Sequence, residues 1–434
     1  MNDATPRDRA LAARKAAPAL IARGPAGRAA ILADLAAELE DMSVRTGLLA
    51  ANREDLDRAA HESVAPARQA RLGLAAAKLD GLADGLRQLA AAADRVGAIT
   101  LRRELDEGLV LTRERCPLGT LGVVFEARPD AVIQIAGLAI KSGNALLLKG
   151  GSEARSSNAA LVAVIHRVLA RHGLDPALVA NLERRDDFAA LLDLEGVVDL
   201  IIARGGASFV HQVMERSKIP VMGHAEGLCH VVLGDTAAPA MAARILVDAK
   251  GSYPAACNAV ETLLWTPGAG AALDASVAAL AAAGVELRGC AATRARHPAM
   301  IAATDDDWAT EYGALILSIR GVPDLDAALD HIERFGSGHT EAIVTDDAAE
   351  AERFLAAVDA ASIFHNASTR FADGYRYGLG AEVGISTQKL HARGPVGVDG
   401  LLTERWLLRG RGQVSTDYGP GKRAYTHRDL DPEG

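Results

Sequence analysis

Cys257 lies in the segment Tyr253-Pro254-Ala255-Ala256-Cys257-Asn258, just past a Gly-Ser-Tyr-Pro break. Small neighbours leave room for a substrate beside a thiol. The Tyr-Pro pair restricts how the chain approaches it. The Asn258 backbone N–H or a nearby amide offers an oxyanion donor. A cysteine that fills space as a small apolar side chain is the other reading of the same residues. The local sequence leaves both open. Cys116, Cys229 and Cys290 are read as inert, as most buried cysteines are.

Two glycine corners come next, Lys149-Gly150-Gly151 followed by Ser152, and Arg204-Gly205-Gly206. Each follows a strand-like run, where parallel sheets bind ligands. A glycine pair either cradles a phosphate or simply turns the chain. The dinucleotide fingerprint GxGxxG after a strand and the P-loop GxxxxGK[ST] are both absent. Residues 366–371 and 378–395 form a third candidate region, dense in glycine, hydroxyls and amides, read either as a long surface loop or as a functional one. Long polar loops in compact enzymes are usually functional. Arg370 and Arg393 there can each grip a carboxylate or phosphate with a bidentate fork.

The elements that must position these residues follow from periodicity. Residues 5 to about 95 read as successive helices. From residue 119 strands alternate with helices: strand 121–125, helix 131–142 stopped by Gly143-Asn144, strand 145–149, a long helix from Ser152 through His172, strand 197–203 and helix 207–216. Shorter strand candidates lie at 219–221 and 230–233. The alternation returns with helix 241–251, strand 261–265, helix 271–283 and strands at 315–319 and 342–344. This pattern predicts parallel sheets in two α/β units, with a boundary near 235. Residues 406–408 read as an extended C-terminal strand whose open edge suits a partner chain.

The chain has 434 residues, 49% hydrophobic, with net charge −9. That length exceeds what one core usually serves, and the charge argues against a general nucleic-acid surface. No 18-residue run is apolar and free of charge, and the N-terminus carries no signal-peptide pattern. Four dispersed cysteines without a CxxC pair imply no metal site of zinc spacing and fit a reducing cytoplasm.

Taken together, GVVFEARPDAV (122–132), GNALLLKGG (143–151), YPAACNAVETLL (253–264), HIERFGSGHTEAIVT (331–345), NASTRFADG (366–374) and GLGAEVGISTQKLHARGPVG (378–397) resemble the gamma-glutamyl phosphate reductase family. Its members are also called glutamate-5-semialdehyde dehydrogenases, and they belong to the aldehyde dehydrogenase superfamily. The likeness runs from about residue 5 to 415. It implies an α/β, aldehyde-dehydrogenase-like fold. N-terminal helices and a Rossmann-like cofactor domain would occupy 1–234, with 101–115 in a small β arm. An α/β catalytic domain would occupy 235–398, and a C-terminal oligomerisation strand and tail 399–434.

The resemblance also implies NADPH as cofactor, bound without GxGxxG. Lys149, Gly150, Gly151 and Ser152 would lie by the adenosine ribose and its phosphate, Gly205 and Gly206 by the pyrophosphate, and Glu311 by the nicotinamide ribose. The implied activity is the reduction of L-glutamate 5-phosphate to L-glutamate 5-semialdehyde and phosphate, the second step of proline synthesis, through a thioester on Cys257. The Cys257 backbone N–H would be one oxyanion donor. Arg128, Arg370 and Arg393 are candidate partners for the substrate's anionic groups, and Glu126 or Glu382 for its ammonium. Implied partners are a second copy of the chain and, transiently, the upstream glutamate 5-kinase.

Two departures matter. Many relatives read Arg-Pro-Asn where this chain has Arg128-Pro129-Asp130. The Glu-Leu-Gly-Gly segment carrying the base of hydrolytic aldehyde dehydrogenases is replaced by VMGHAEGLCH (221–230), so Glu226 is not assigned that role. Other classes in play are a coenzyme-A-acylating or hydrolytic aldehyde dehydrogenase and a non-catalytic scaffold for the kinase.

Overall fold

The computed structural model describes residues 4–62, 64, 69, 71–223 and 226–432. The N-terminal helices are Pro6–Ala22, Gly24–Glu40, Met42–His61 and Ala76–Ala91. Thr5 and Asp8 form a capping box on the first, and Asp41 caps the third by accepting from the Ser43 and Val44 N–H groups. Leu32, Leu35, Leu82, Leu86 and Leu89 turn inward to join the first core. They pack on the helix Asp130–Ser142 so closely that a Cβ at Gly137 would lie 2.8 Å from Leu86 Cδ2.

That helix belongs to a five-stranded, wholly parallel sheet. Its order is Val179–Asn181, Ala145–Gly150, Thr120–Phe125, Leu200–Arg204, Val221–Met222. The two central strands, Thr120–Phe125 and Ala145–Gly150, are buried along their whole length, as a sheet covered on both faces requires. Gly143 takes the left-handed conformation (φ 77°) that ends the helix before Asn144 turns into the next strand.

A second parallel sheet has seven strands, in the order Ile301–Ala302, Glu286–Gly289, Ile316–Gly321, Val260–Trp265, Cys229–Leu233, Thr340–Val344, Ser362–His365. A third, antiparallel sheet orders Leu402–Arg409, Leu109–Pro117, Ile99–Asp106 and Arg428–Leu430. This sheet takes in Ile99–Asp106 and Leu109–Pro117, where the arm was expected over 101–115, together with the two C-terminal strands.

Three boundaries differ from the sequence reading. The strand Cys229–Leu233 sits in the seven-stranded sheet, paired with Val260–Trp265, so by sheet membership the change of domain falls before residue 229 and not at 235. The strand expected over 197–203 begins at Leu200, because the Val197 and Val198 N–H groups both turn back to Leu194 O. The long helix expected from Ser152 opens as a 3₁₀ turn, Ser152–Ala154, before Arg155–Arg171. No helix among the described residues is long and apolar enough to cross a membrane.

Asn144 ties the arm to the first sheet. Its Oδ1 accepts from Gly119 N–H (2.7 Å), and its Nδ2 donates to Leu401 O and Ser142 Oγ (2.8 Å each). Asn144 is buried, so truncation leaves backbone groups unsatisfied away from water. Asn144→Ala is expected to lower unfolding stability by about 2–3 kcal/mol. Urea denaturation measures this; a midpoint equal to the wild type's would show that water replaces the amide at no cost.

Candidate active site

The carboxyl ends of the five-stranded sheet meet the amino ends of the seven-stranded one. From the first come residues 125–130, 149–152 and 204–206; from the second come the turns before the strands Cys229–Leu233 and Val260–Trp265.

Cys257 lies in the turn between the helix Pro239–Gly251 and the strand Val260–Trp265. Backbone bonds from Ala256 N–H to Tyr253 O (3.2 Å) and from Ala259 N–H to Ala256 O (2.8 Å) shape the turn. The Asn258 amide donates to Ala372 O (2.8 Å), which pins the turn to the segment 369–372. That side-chain N–H₂ therefore works as a tether. The Cys257 backbone N–H favours the thiolate of the same residue. Gly227 backs the turn: a Cβ there would lie 2.0 Å from Cys257 O. Cys229 Sγ also donates to Cys257 O (3.3 Å), so this buried thiol is spent on the turn.

Beneath the turn, Lys250 Nζ and Glu261 Oε2 form a fully buried ion pair at 2.6 Å. Burial pulls the lysine down and pushes the glutamate up to about 7, with each charge opposing the other's shift. Glu261 Oε1 also accepts from Gly313 N–H (3.4 Å), which anchors the loop carrying Glu311. Glu311 accepts from the Gly227 N–H, and burial raises its pKa.

Burial pushes the Cys257 thiol up to about 12, with the carboxylates of Glu311 and Glu382 adding to the shift and the Arg204 guanidinium opposing it. The free protein therefore holds a protonated thiol. Arg370 flanks the turn, with Nε on Ser252 Oγ (3.2 Å) and the guanidinium 5.8 Å from the Tyr253 ring centroid. Burial lowers its pKa, and the Cys257 sulfur is among the groups whose charge it feels.

Two cavities open on this junction. One, of about 470 Å³, is lined by Arg128, Asp130, Gln134, Arg204 and Glu382 together with the helix Ala76–Ala91. The other, of about 710 Å³, holds Lys149, Gly150, Gly151, Ser152 and Glu126. Lys149 Nζ donates to Gly150 O (2.8 Å), and burial lowers its pKa. Gly206 caps the helix Ala207–Arg216, and a Cβ there would meet nothing within 4 Å. A lysine beside the start of the helix Ala207–Arg216, with an open Gly206, suits a dinucleotide's phosphates. Glu126 Oε2 accepts from the Gly206 N–H (3.2 Å).

The structure thus brings Cys257, Glu311, Glu382, Arg128 and Arg370 around one junction, and Lys149, Gly150, Gly151 and Ser152 into the adjoining cavity. Two expected substrate contacts fall elsewhere. Glu126 faces the cavity of Lys149, because Ala127 adopts φ 47° and turns the chain between Glu126 and Arg128. Arg393 pairs with Asp359 through Nη1 (2.6 Å) and Nη2 (3.1 Å, to the backbone oxygen) and lines a separate hollow against the arm. Asp130 forms an ion pair with Lys78 (3.3 Å) and offers no amide donor. Glu226 is exposed. Residues 224 and 225 of the segment expected in place of the hydrolytic base lie outside the described residues. Arg204 was read only as a corner residue, yet it reaches into the cavity of Arg128. No group of three or more metal-ligating side chains occurs among the described residues.

No family model matches the chain. A curated relative from Synechococcus, named gamma-glutamyl phosphate reductase, is 54% identical over 400 residues, 92% of this chain and 91% of its own length. The crystal structure of gamma-glutamyl phosphate reductase from Thermotoga maritima superposes with a TM-score of 0.91 at 34% identity, covering 95% of this chain and all of that one. An acetylating aldehyde dehydrogenase from Geobacillus thermoglucosidasius, at 17% identity and TM-score 0.65, shares the fold.

Two outcomes are expected of the free protein. The alkylation rate of Cys257 by iodoacetamide, followed by peptide mass spectrometry, should keep rising about tenfold per pH unit from 7 to 9, because the thiol stays protonated far above that range; a plateau near pH 8 would contradict the buried, carboxylate-flanked setting. Lys250→Met strands Glu261 in the core and should cost about 3–5 kcal/mol in urea unfolding at pH 8, where that carboxyl is ionised. The loss should shrink toward pH 5 as Glu261 takes up a proton.

Proposed function

The chain belongs to the gamma-glutamyl phosphate reductases and reduces L-glutamate 5-phosphate to L-glutamate 5-semialdehyde with a nicotinamide cofactor, and on that footing we propose which of its residues do the work and which cofactor it prefers. Cys257 is the nucleophile. The observation that carries this is its position in a braced turn at the junction of the two sheets, where it feels the charges of Glu311, Glu382 and Arg204.

The Cys257 sulfur attacks the acyl carbon, the C–O bond to phosphate breaks, and the thiol proton leaves on the departing phosphate. Atoms balance without a separate base, which suits a thiol that is protonated in the free protein. The Cys257 backbone N–H donates to the oxyanion. A bound nicotinamide cofactor would supply hydride to the thioester carbon. The hemithioacetal then collapses to aldehyde, and the sulfur recovers a proton from water.

Arg370, beside the turn, takes the phosphoryl group, and Arg128 faces the substrate from the other wall. Glu382 meets the α-ammonium. Glu311 holds the nicotinamide ribose. Lys149 and the 150–152 corner take the adenosine ribose and its 2′-phosphate, and Gly205 and Gly206 approach the pyrophosphate. The Lys149 charge in that corner favours NADPH over NADH. The lost hydrolytic segment supports phosphate rather than water as the partner of the thioester, since an activated water would destroy the intermediate. The edge strand Leu402–Arg409, with Trp406 and Leu408 exposed, pairs with a second copy in a cytoplasmic homo-oligomer, and a transient contact with glutamate 5-kinase would shield the labile acyl phosphate.

The test runs the reaction backward. Protein is mixed with glutamate semialdehyde, in equilibrium with its cyclic imine, and NADP⁺. Cofactor reduction should require inorganic phosphate and vanish in Cys257→Ala. Reduction without phosphate would make the chain a hydrolytic enzyme. Lys149→Met should cut the preference for NADP⁺ over NAD⁺, as a ratio of kcat/KM, about tenfold or more; an unchanged ratio removes Lys149 from cofactor selection.

A further inference from the structure

Arg204 ends the strand Leu200–Arg204, and its side chain lies along Gly384, whose missing Cβ would come 3.5 Å from Arg204 Nε. It enters the 470 Å³ cavity beside Arg128 and Glu382. Its Nη1 is buried and has no hydrogen-bond partner. Glu382 lines the same cavity, with Oε2 taken by the Gly374 N–H (2.8 Å). The two charges feel each other only through space, with no bond between them. The neighbouring acid Asp130 is engaged by Lys78, and Asp373 Oδ1 accepts from the Tyr375 and Arg376 N–H groups.

A half-buried guanidinium and a half-buried carboxylate that share a cavity without pairing keep part of their desolvation cost in the empty protein. A phosphate dianion there would be attracted by Arg204 and Arg128 and repelled by Glu382. A group carrying both signs on one carbon satisfies both. We propose that Arg204 and Glu382 together form the receptor for the α-amino-carboxylate head of the substrate, Arg204 gripping the carboxylate and Glu382 the ammonium. This rests on the reductase reading above and adds Arg204 as the residue that selects an α-amino acid. Bridged by the zwitterion, both side chains gain an opposite charge in direct contact, and the acyl end is directed back toward Cys257, whose charge Arg204 also feels.

The experiment measures the reverse reaction for the wild type, Arg204→Met and Arg204→Lys, varying glutamate semialdehyde and inorganic phosphate independently. Arg204→Met should lower kcat/KM for the semialdehyde about 10- to 100-fold, with the phosphate KM within about twofold of the wild type's. Arg204→Lys, which keeps the charge without the fork, should recover part of the loss and serves alone if the methionine variant does not fold. A phosphate KM that rises as much as the semialdehyde's overturns the assignment and gives Arg204 to the phosphoryl group. An unchanged semialdehyde kcat/KM overturns it as well. Absence of phosphate-dependent turnover in the wild type would instead strike at the reductase reading itself.

Discussion

The buried ion pair of Lys250 and Glu261 sets the geometry on which the rest of the site depends. Lys250 closes the helix Pro239–Gly251 and Glu261 opens the strand Val260–Trp265, so the pair clamps both ends of the turn that presents Cys257. The same carboxylate holds the loop of Glu311 through Gly313. A buried pair is poor evidence of stability, because desolvation consumes most of the attraction. Its value here is positional. Three elements are held by one carboxylate, and the thiol and Glu311 cannot drift apart while it is charged.

Above that clamp the site is assembled from segments far apart in sequence, and backbone contacts do most of the alignment. Gly227 can lie on the Cys257 carbonyl only because it has no Cβ. The Asn258 amide reaches Ala372 O, which fixes the loop of Arg370 against the same turn. Neither contact touches the reacting atoms in this reading. Both set how far the sulfur stands from the cavity of Arg128, Arg204 and Glu382, where an error of about 1 Å would cost orders of magnitude in rate.

What was legible in the sequence divides along physical lines. Cys257 and the two glycine corners could be singled out because their signal is local: small residues around a thiol, and glycines ending apolar runs. The parallel sheets followed from alternating periodicity, and most strand and helix ends were read within a few residues. The domain boundary was set too late, because membership of the strand Cys229–Leu233 is decided by pairing with Val260–Trp265, which no local pattern reports. Glu126 and Arg128, two residues apart near the end of one strand, read as neighbours on the same substrate. The left-handed Ala127, held by its N–H to Glu153 Oε1 (2.6 Å), sends them to different cavities. An alanine in that conformation costs about 1 kcal/mol or more, and sequence gives no sign of it.

Arg393 and Arg204 make the converse pair. Arg393 stood in a polar, glycine-rich loop and looked like an anion grip, yet Asp359, from another part of the chain, already answers its charge. Arg204 looked like the last residue of a strand before a turn, yet its Nη1 is left without a hydrogen-bond partner at a cavity walled in part by residues 373–382. The side-chain type is identical and the local composition misleads in both cases. What separates a structural arginine from a ligand-binding one is whether the fold has already supplied its counter-charge, and that is settled only by long-range packing. A protein that leaves a half-buried guanidinium and a half-buried carboxylate unpaired across the same space retains a desolvation cost. That cost is recovered only when something of matching charge enters.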